Sequence, residues 1–117
     1  MSDIINFQKQ IKKFCADRDW QQFHNFKDLA ISLNLEAAEV LEHFQWKSER
    51  EIINHLEKYK TELGEELSDV LYWTLYLADK ADIDLKHAFE EKMRKNKIKY
   101  PVKKAKGSHR KYTELQK

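Results

Sequence analysis

Gly64, Pro101 and Gly107 are the only glycines and proline in this chain of 117 residues. Tight turns and hairpins draw on those residue types, so there is little here from which to build a sheet. Strand-like alternation is also scarce, whereas apolar residues recur at three-four spacing over long windows. The chain is therefore expected to be all-α. With 41% apolar and 36% charged residues it reads as soluble and globular. Its length suits one helical domain over residues 1–102, followed by a basic tail over residues 103–117.

Four helices are predicted. The first covers residues 3–17, with Ile4, Phe7, Ile11, Phe14 and Cys15 on one face and Ser2 or Asp3 as cap. An aromatic-rich loop follows. The second helix covers residues 28–45. Ser48 and Glu51 form a capping-box pattern that opens the third, expected to run to about Lys80 with a bend near Gly64. The fourth is placed at residues 85–95, and the chain is then expected to extend through Tyr100 and Pro101. The third helix is apolar almost all round between Leu67 and Ala78. Such a helix needs more neighbours than three short helices provide, which predicts a bundle completed by homo-oligomerisation, as a dimer or a dimer of dimers.

Two acidic pairs stand inside apolar surroundings. Glu36 and Glu39 lie on the second helix, Glu66 and Asp69 on the third, and in each pair the spacing of three puts both on one face. Acids flanked by Leu, Val and Ala are partly desolvated, and four of them converging would repel unless a cation sat among them. Hard oxygen ligands suit magnesium, with manganese as the alternative, and such a site commonly takes a phosphate substrate. Glu39–Glu42 and Glu62–Glu65 share the spacing, so spacing alone marks only a solvated face. A di-iron site would call for Glu-x-x-His, which the chain lacks, and one Cys with scattered His residues argues against zinc.

Trp73 lies in the densest apolar stretch and is expected in the core. Trp20 and Trp46 flank the second helix and could close over a base or simply pack at a helix end. His24 could contact a ligand or bond the backbone; His43, His55, His87 and His109 are expected at the surface. Cys15 is expected to be a core residue, and a lone cysteine fits a reducing, cytoplasmic setting. The N-terminal residues show no signal-peptide pattern, and no apolar stretch spans a membrane. Residues 92–111 hold ten of the 22 basic residues and no acid. A basic tail on an acidic body suggests an anionic partner, either a triphosphate or a nucleic acid.

Taken in order, these segments resemble the MazG-like nucleotide pyrophosphohydrolases, and within them the dCTP pyrophosphatase branch. The resemblance rests on Asp19-Trp20-Gln21-Gln22-Phe23-His24, the pair Glu36 and Glu39, Phe44-Gln45-Trp46-Lys47, Glu66-Leu67-Ser68-Asp69-Val70-Leu71, and the set Lys92, Asn96, Tyr100, Pro101 and Val102. Ile11 stands where better-known members can carry a His facing the base, and Lys106 takes the place of an Arg. The resemblance implies a helical-bundle oligomer that hydrolyses a deoxynucleoside triphosphate, dCTP or a modified dCTP, to monophosphate and pyrophosphate with magnesium. It implies Glu36, Glu39, Glu66 and Asp69 as metal ligands and catalytic acids. Trp20, His24 and Trp46 would form the base pocket, and Lys92, Asn96 and Tyr100 would hold phosphates and sugar. The competing reading is a non-catalytic, nucleic-acid-binding helical oligomer using the tail.

Overall fold

The computed structural model describes residues 2–115. Among them there is no strand. The helices are α1 (Asp3–Asp17), α2 (Phe26–Glu42), α3 (Glu49–Lys58), α4 (Lys60–Lys80), α5 (Leu85–Lys99), α6 (Val102–Ala105) and α7 (Tyr112–Leu115), with a 3-10 turn at Gln21–Phe23. The expectation of an all-α chain holds. No helix among the described residues is long and apolar enough to cross a membrane.

Local chemistry explains most boundaries. Ser2 accepts from the Ile5 amide at the start of α1, and Asn25 accepts from the Asp28 amide at the start of α2. That cap opens α2 at Phe26, two residues earlier than predicted. At α3, Ser48 and Glu51 satisfy each other's backbone amides at 3.3 and 3.2 Å, the reciprocal arrangement the sequence pattern implies. Asp84 caps α5 through the His87 amide.

The predicted third helix is two helices. The break falls at Tyr59, whose backbone (φ −117°, ψ 28°) leaves helical geometry, and Gly64 lies within α4. A single glycine weakens a helix by about 1 kcal/mol without obliging it to bend. At the other end α5 reaches Lys99, four residues beyond its predicted stop, because the proline restriction acts on the residue immediately before it, Tyr100.

The chain forms two compact units, one up to Ile83 and the other from Asp84. In the first, α4 packs most extensively on α2, then on α1 and on α3. Its core is small: Ile11 and Cys15 from α1, Leu29 from α2, Leu75 and Ala78 from α4. Gln8 Nε2 donates to the Leu75 carbonyl at 3.0 Å, and Cys15 Sγ lies 3.1 Å from the Tyr72 hydroxyl, so two polar contacts tie α1 to α4. Cys15 is a core residue, as expected. The second unit contains α5, α6 and α7.

Candidate active site

The packing of α1, α2 and α4 in the first unit leaves a cavity of about 520 Å³. Its wall is largely aromatic. Trp20 meets Phe14 edge-on at 5.5 Å, Phe14 meets Tyr72 at 6.4 Å, and Tyr72 meets Trp73 at 4.9 Å. Edge-to-face rings of this kind pack at fixed angles and hold an open apolar slot. Arg18 stacks on Phe14, its guanidinium 3.9 Å from the ring centre. Gln10 and Ile11 line the α1 side, and Glu36 from α2 and Asp69 from α4 supply the charge.

Glu36 is the most unusual group in this wall. Its Oε2 is buried and has no hydrogen-bond partner among the described residues. Burial raises its pKa above the ordinary carboxylate value, and the neighbouring Glu39 and Asp69 raise it further, while hydrogen bonding with Trp73 opposes the shift. A buried acceptor of this kind costs free energy unless a cation or a donor meets it. Glu39 and Asp69 are exposed side chains, able to turn toward such a cation.

Glu66 does not line the cavity. Its Oε2 is buried against Nε2 of His43, whose Nδ1 lies 2.6 Å from Nε2 of His55. His43 and His55 are thus half-buried partners, not the surface residues expected. Their spacing of twelve crosses the turn between α2 and α3, so no helical periodicity links them. Among the described residues no three His, Cys, Asp or Glu side chains are gathered tightly enough to enclose a metal ion. The acids are arranged as Glu36 beside Glu39 and Asp69, with Glu66 directed at the histidine pair.

The aromatic expectations divide. Trp20 lines the cavity. Trp73, expected in the core, is half-buried and lines it too, together with Phe14 and Tyr72. Tyr72 and Trp73 follow Asp69 by three and four residues, so helical spacing alone places them on its face. His24 does not line the cavity; its Nδ1 lies 2.7 Å from the Tyr76 hydroxyl, behind the wall. Trp46 is 91% exposed and holds a left-handed backbone (φ 64°). Lys92, Asn96 and Tyr100 belong to the second unit, where they form one row along α5 and its C-cap.

Like-charge crowding around Glu36 has a measurable effect without any cation. Because Glu36 has a higher pKa folded than unfolded, the folded state binds more protons between those two values. Stability therefore falls as pH rises through that window and stays lower above it. In metal-free protein Asp69→Asn is expected to lessen that loss and to melt no lower than wild type at neutral pH. Thermal melts across pH in chelator check this, and a large drop in Tm would make Asp69 a structural residue.

Comparison with known sequences gives the class of protein to which this helical unit belongs. The chain belongs to the MazG-like family, whose model matches residues 31–115. It is similar to dCTP pyrophosphatase 1 of Rattus norvegicus, 43% identical over 105 residues, and to dCTP pyrophosphatase 1 of Homo sapiens, 42% identical over 105 residues. Each match covers 88% of this chain, which spans 62% of the length of those curated relatives. The fold is similar to the crystal structure of a pyrophosphatase from Archaeoglobus fulgidus, with a TM-score of 0.80 and 39% identity, covering 86% of this chain and 94% of that one.

Proposed function

We propose that this protein is a nucleoside triphosphate pyrophosphohydrolase that converts a deoxynucleoside triphosphate of the dCTP type to the monophosphate and pyrophosphate. One observation carries this reading: a buried, unpartnered carboxylate oxygen of Glu36 at the edge of a slot walled by Trp20, Phe14, Tyr72 and Trp73. A flat base fits such a slot, and a charged phosphate chain fits its acidic edge only with a cation between. The names of the relatives support the same reaction class and the same base.

The chemistry of the donors suits a hard divalent ion, because Glu36 presents an unsatisfied oxygen next to two further carboxylates, which would have to draw together to enclose it. Glu36, Glu39, Asp69 and Glu66 would hold magnesium, or manganese in its place. When bound, the ion neutralises phosphate charge and acidifies water. The protein's own groups do the remainder. The aromatic rings hold the base by stacking, and the apolar wall excludes bulk water from the acid edge. The high proton affinity of Glu36 suits it to orient a water and accept its proton as the oxygen attacks phosphorus. The bond to the bridging oxygen then breaks and pyrophosphate departs. Lys92, Asn96 and Tyr100 carry groups suited to phosphate and sugar, as the family resemblance implies.

Homo-oligomerisation, as a dimer or a tetramer, belongs to the same reading. Five residues form the entire buried apolar core among those described, while Phe7, Ile31, Leu35, Leu41, Leu67 and Leu71 all lie exposed on α1, α2 and α4. So small a core gains from a second copy that covers those helices.

Incubation with each deoxynucleoside triphosphate and magnesium, followed by a pyrophosphate assay, tests the activity and ranks the bases. Pyrophosphate is expected with dCTP; its absence with every base would defeat the proposal. Trp73→Ala is expected to weaken nucleotide affinity by about 1–3 kcal/mol, the contribution of one base stack. Titration of a non-hydrolysable analogue measures it, and unchanged affinity would take the base out of this slot. Trp46→Ala in the same titration should leave Tm unchanged, since its side chain packs on little. A loss of affinity matching that of Trp73→Ala would place Trp46 over the nucleotide.

A further inference from the structure

We propose that His43, braced by His55, is a positioning residue that fixes the Glu66 carboxylate. The inference rests on the reading above, in which Glu66 serves a phosphate-bound cation. Three helices contribute one residue each. His43 is the C-cap residue of α2, His55 lies in the last turn of α3, and Glu66 stands in the second turn of α4. The side chains of His43 and Glu66 are 10% and 27% exposed, so the contact between them is largely removed from water.

The hydrogen-bond directions follow from which atoms face each other. Nε2 of His43 lies against a carboxylate oxygen, so it carries the proton and donates. In a neutral ring Nδ1 is then an acceptor, and the atom 2.6 Å away, Nε2 of His55, must donate to it. The His55 ring also packs on Tyr59, with 4.7 Å between ring centres, at the break between α3 and α4. The three groups thus stand in one line, His55 to His43 to Glu66, with the Nε2–H of His43 on the carboxylate. The lowered pKa of His55, caused first by burial and then by Lys47 and His43, agrees with a neutral ring there.

The line does something the other acids lack. Glu39 and Asp69 are exposed and can turn, whereas one oxygen of Glu66 is held from behind. A donor on a ligating carboxylate sets its orientation and basicity, and losing such a donor typically lowers metal affinity or activity by about 10–100-fold. His43 and His55 are not asked to touch substrate or to exchange protons with it; they act through Glu66.

Three variants of the full chain test this, with manganese binding read from loss of the free-ion electron paramagnetic resonance signal. His43→Leu removes the donor and is expected to lower manganese affinity about tenfold or more. It should lower kcat for dCTP while leaving KM unchanged. His43→Gln keeps a side-chain N–H of similar reach and should recover most of both. Nitrogen-15 spectra of the wild-type protein should show a proton on Nε2 of His43. If His43→Leu fails to fold, His55→Phe carries the test, and it too should weaken manganese binding. Manganese affinity unchanged in His43→Leu and His55→Phe, equal impairment of His43→Leu and His43→Gln, or an Nδ1–H tautomer at His43 would each overturn the proposal. A wild-type protein that turns over no triphosphate, yet shows that proton and the affinity loss, would defeat the catalytic reading and leave the positioning role standing.

Discussion

Glu36→Gln is expected to reduce pyrophosphate release at least about a hundredfold while leaving the helical signal intact. Gln matches Glu in size, so the cavity wall keeps its shape. What changes is the charge at a buried oxygen that lacks a hydrogen-bond partner among the described residues. A ligand that contacts the cation should cost at least as much as the upper end of the range for groups one layer further out, about 10–100-fold. Removing a crowded carboxylate should not destabilise the metal-free protein, because burial and the charges of Glu39 and Asp69 already disfavour its ionised form. Single-turnover assays with dCTP and magnesium, beside a thermal melt in chelator, separate the two effects. Turnover close to wild type would remove Glu36 from the chemistry and shift attention to the Glu66 side.

Leu75→Ala carries the largest expected stability loss, about 2–5 kcal/mol. Leu75 is 2% exposed, lies on α4, the helix that packs on both α1 and α2, and belongs to a core of five residues among those described. Its carbonyl also receives Gln8 from α1, so the backbone there is held on one side while the side chain is deleted on the other. Such a region relaxes poorly around a void, which favours the upper part of the range. Urea unfolding at constant protein concentration measures the change, with an unaltered m-value as the sign that the unfolded state is unaffected. A loss below about 1 kcal/mol would mean that subunit association, not this core, carries most of the stability.

The sequence makes the helices readable because their start signals are local. Ser2, Ser48 with Glu51, and Asp84 each sit where their side chains reach a backbone amide three residues on. The break at Tyr59 was not readable, since neither Gly nor Pro marks it and tyrosine is an ordinary helical residue. In the site, Glu36 and Asp69 were legible from acids set among apolar neighbours. Trp73 was legible as buried but not as cavity wall, because Trp73 and Leu75 lie on opposite sides of α4 and an all-round apolar stretch does not tell core side from slot side. His43 and His55 gave no signal, since their meeting depends on how the turn after α2 sets α3 against α4. Lys92, Asn96 and Tyr100 share a helical row, as their spacing implies.

The contact between Cys15 and Tyr72 bears on how the slot behaves in alkaline solution. Burial, reinforced by the thiol beside it, pushes the Tyr72 phenol well above its usual titration range. The ring therefore keeps its proton beyond the pH at which an exposed phenol loses it, and the aromatic lining acquires no negative charge from this hydroxyl there. Within the slot, the charge that responds to pH is then that of the acid edge, not of this phenol.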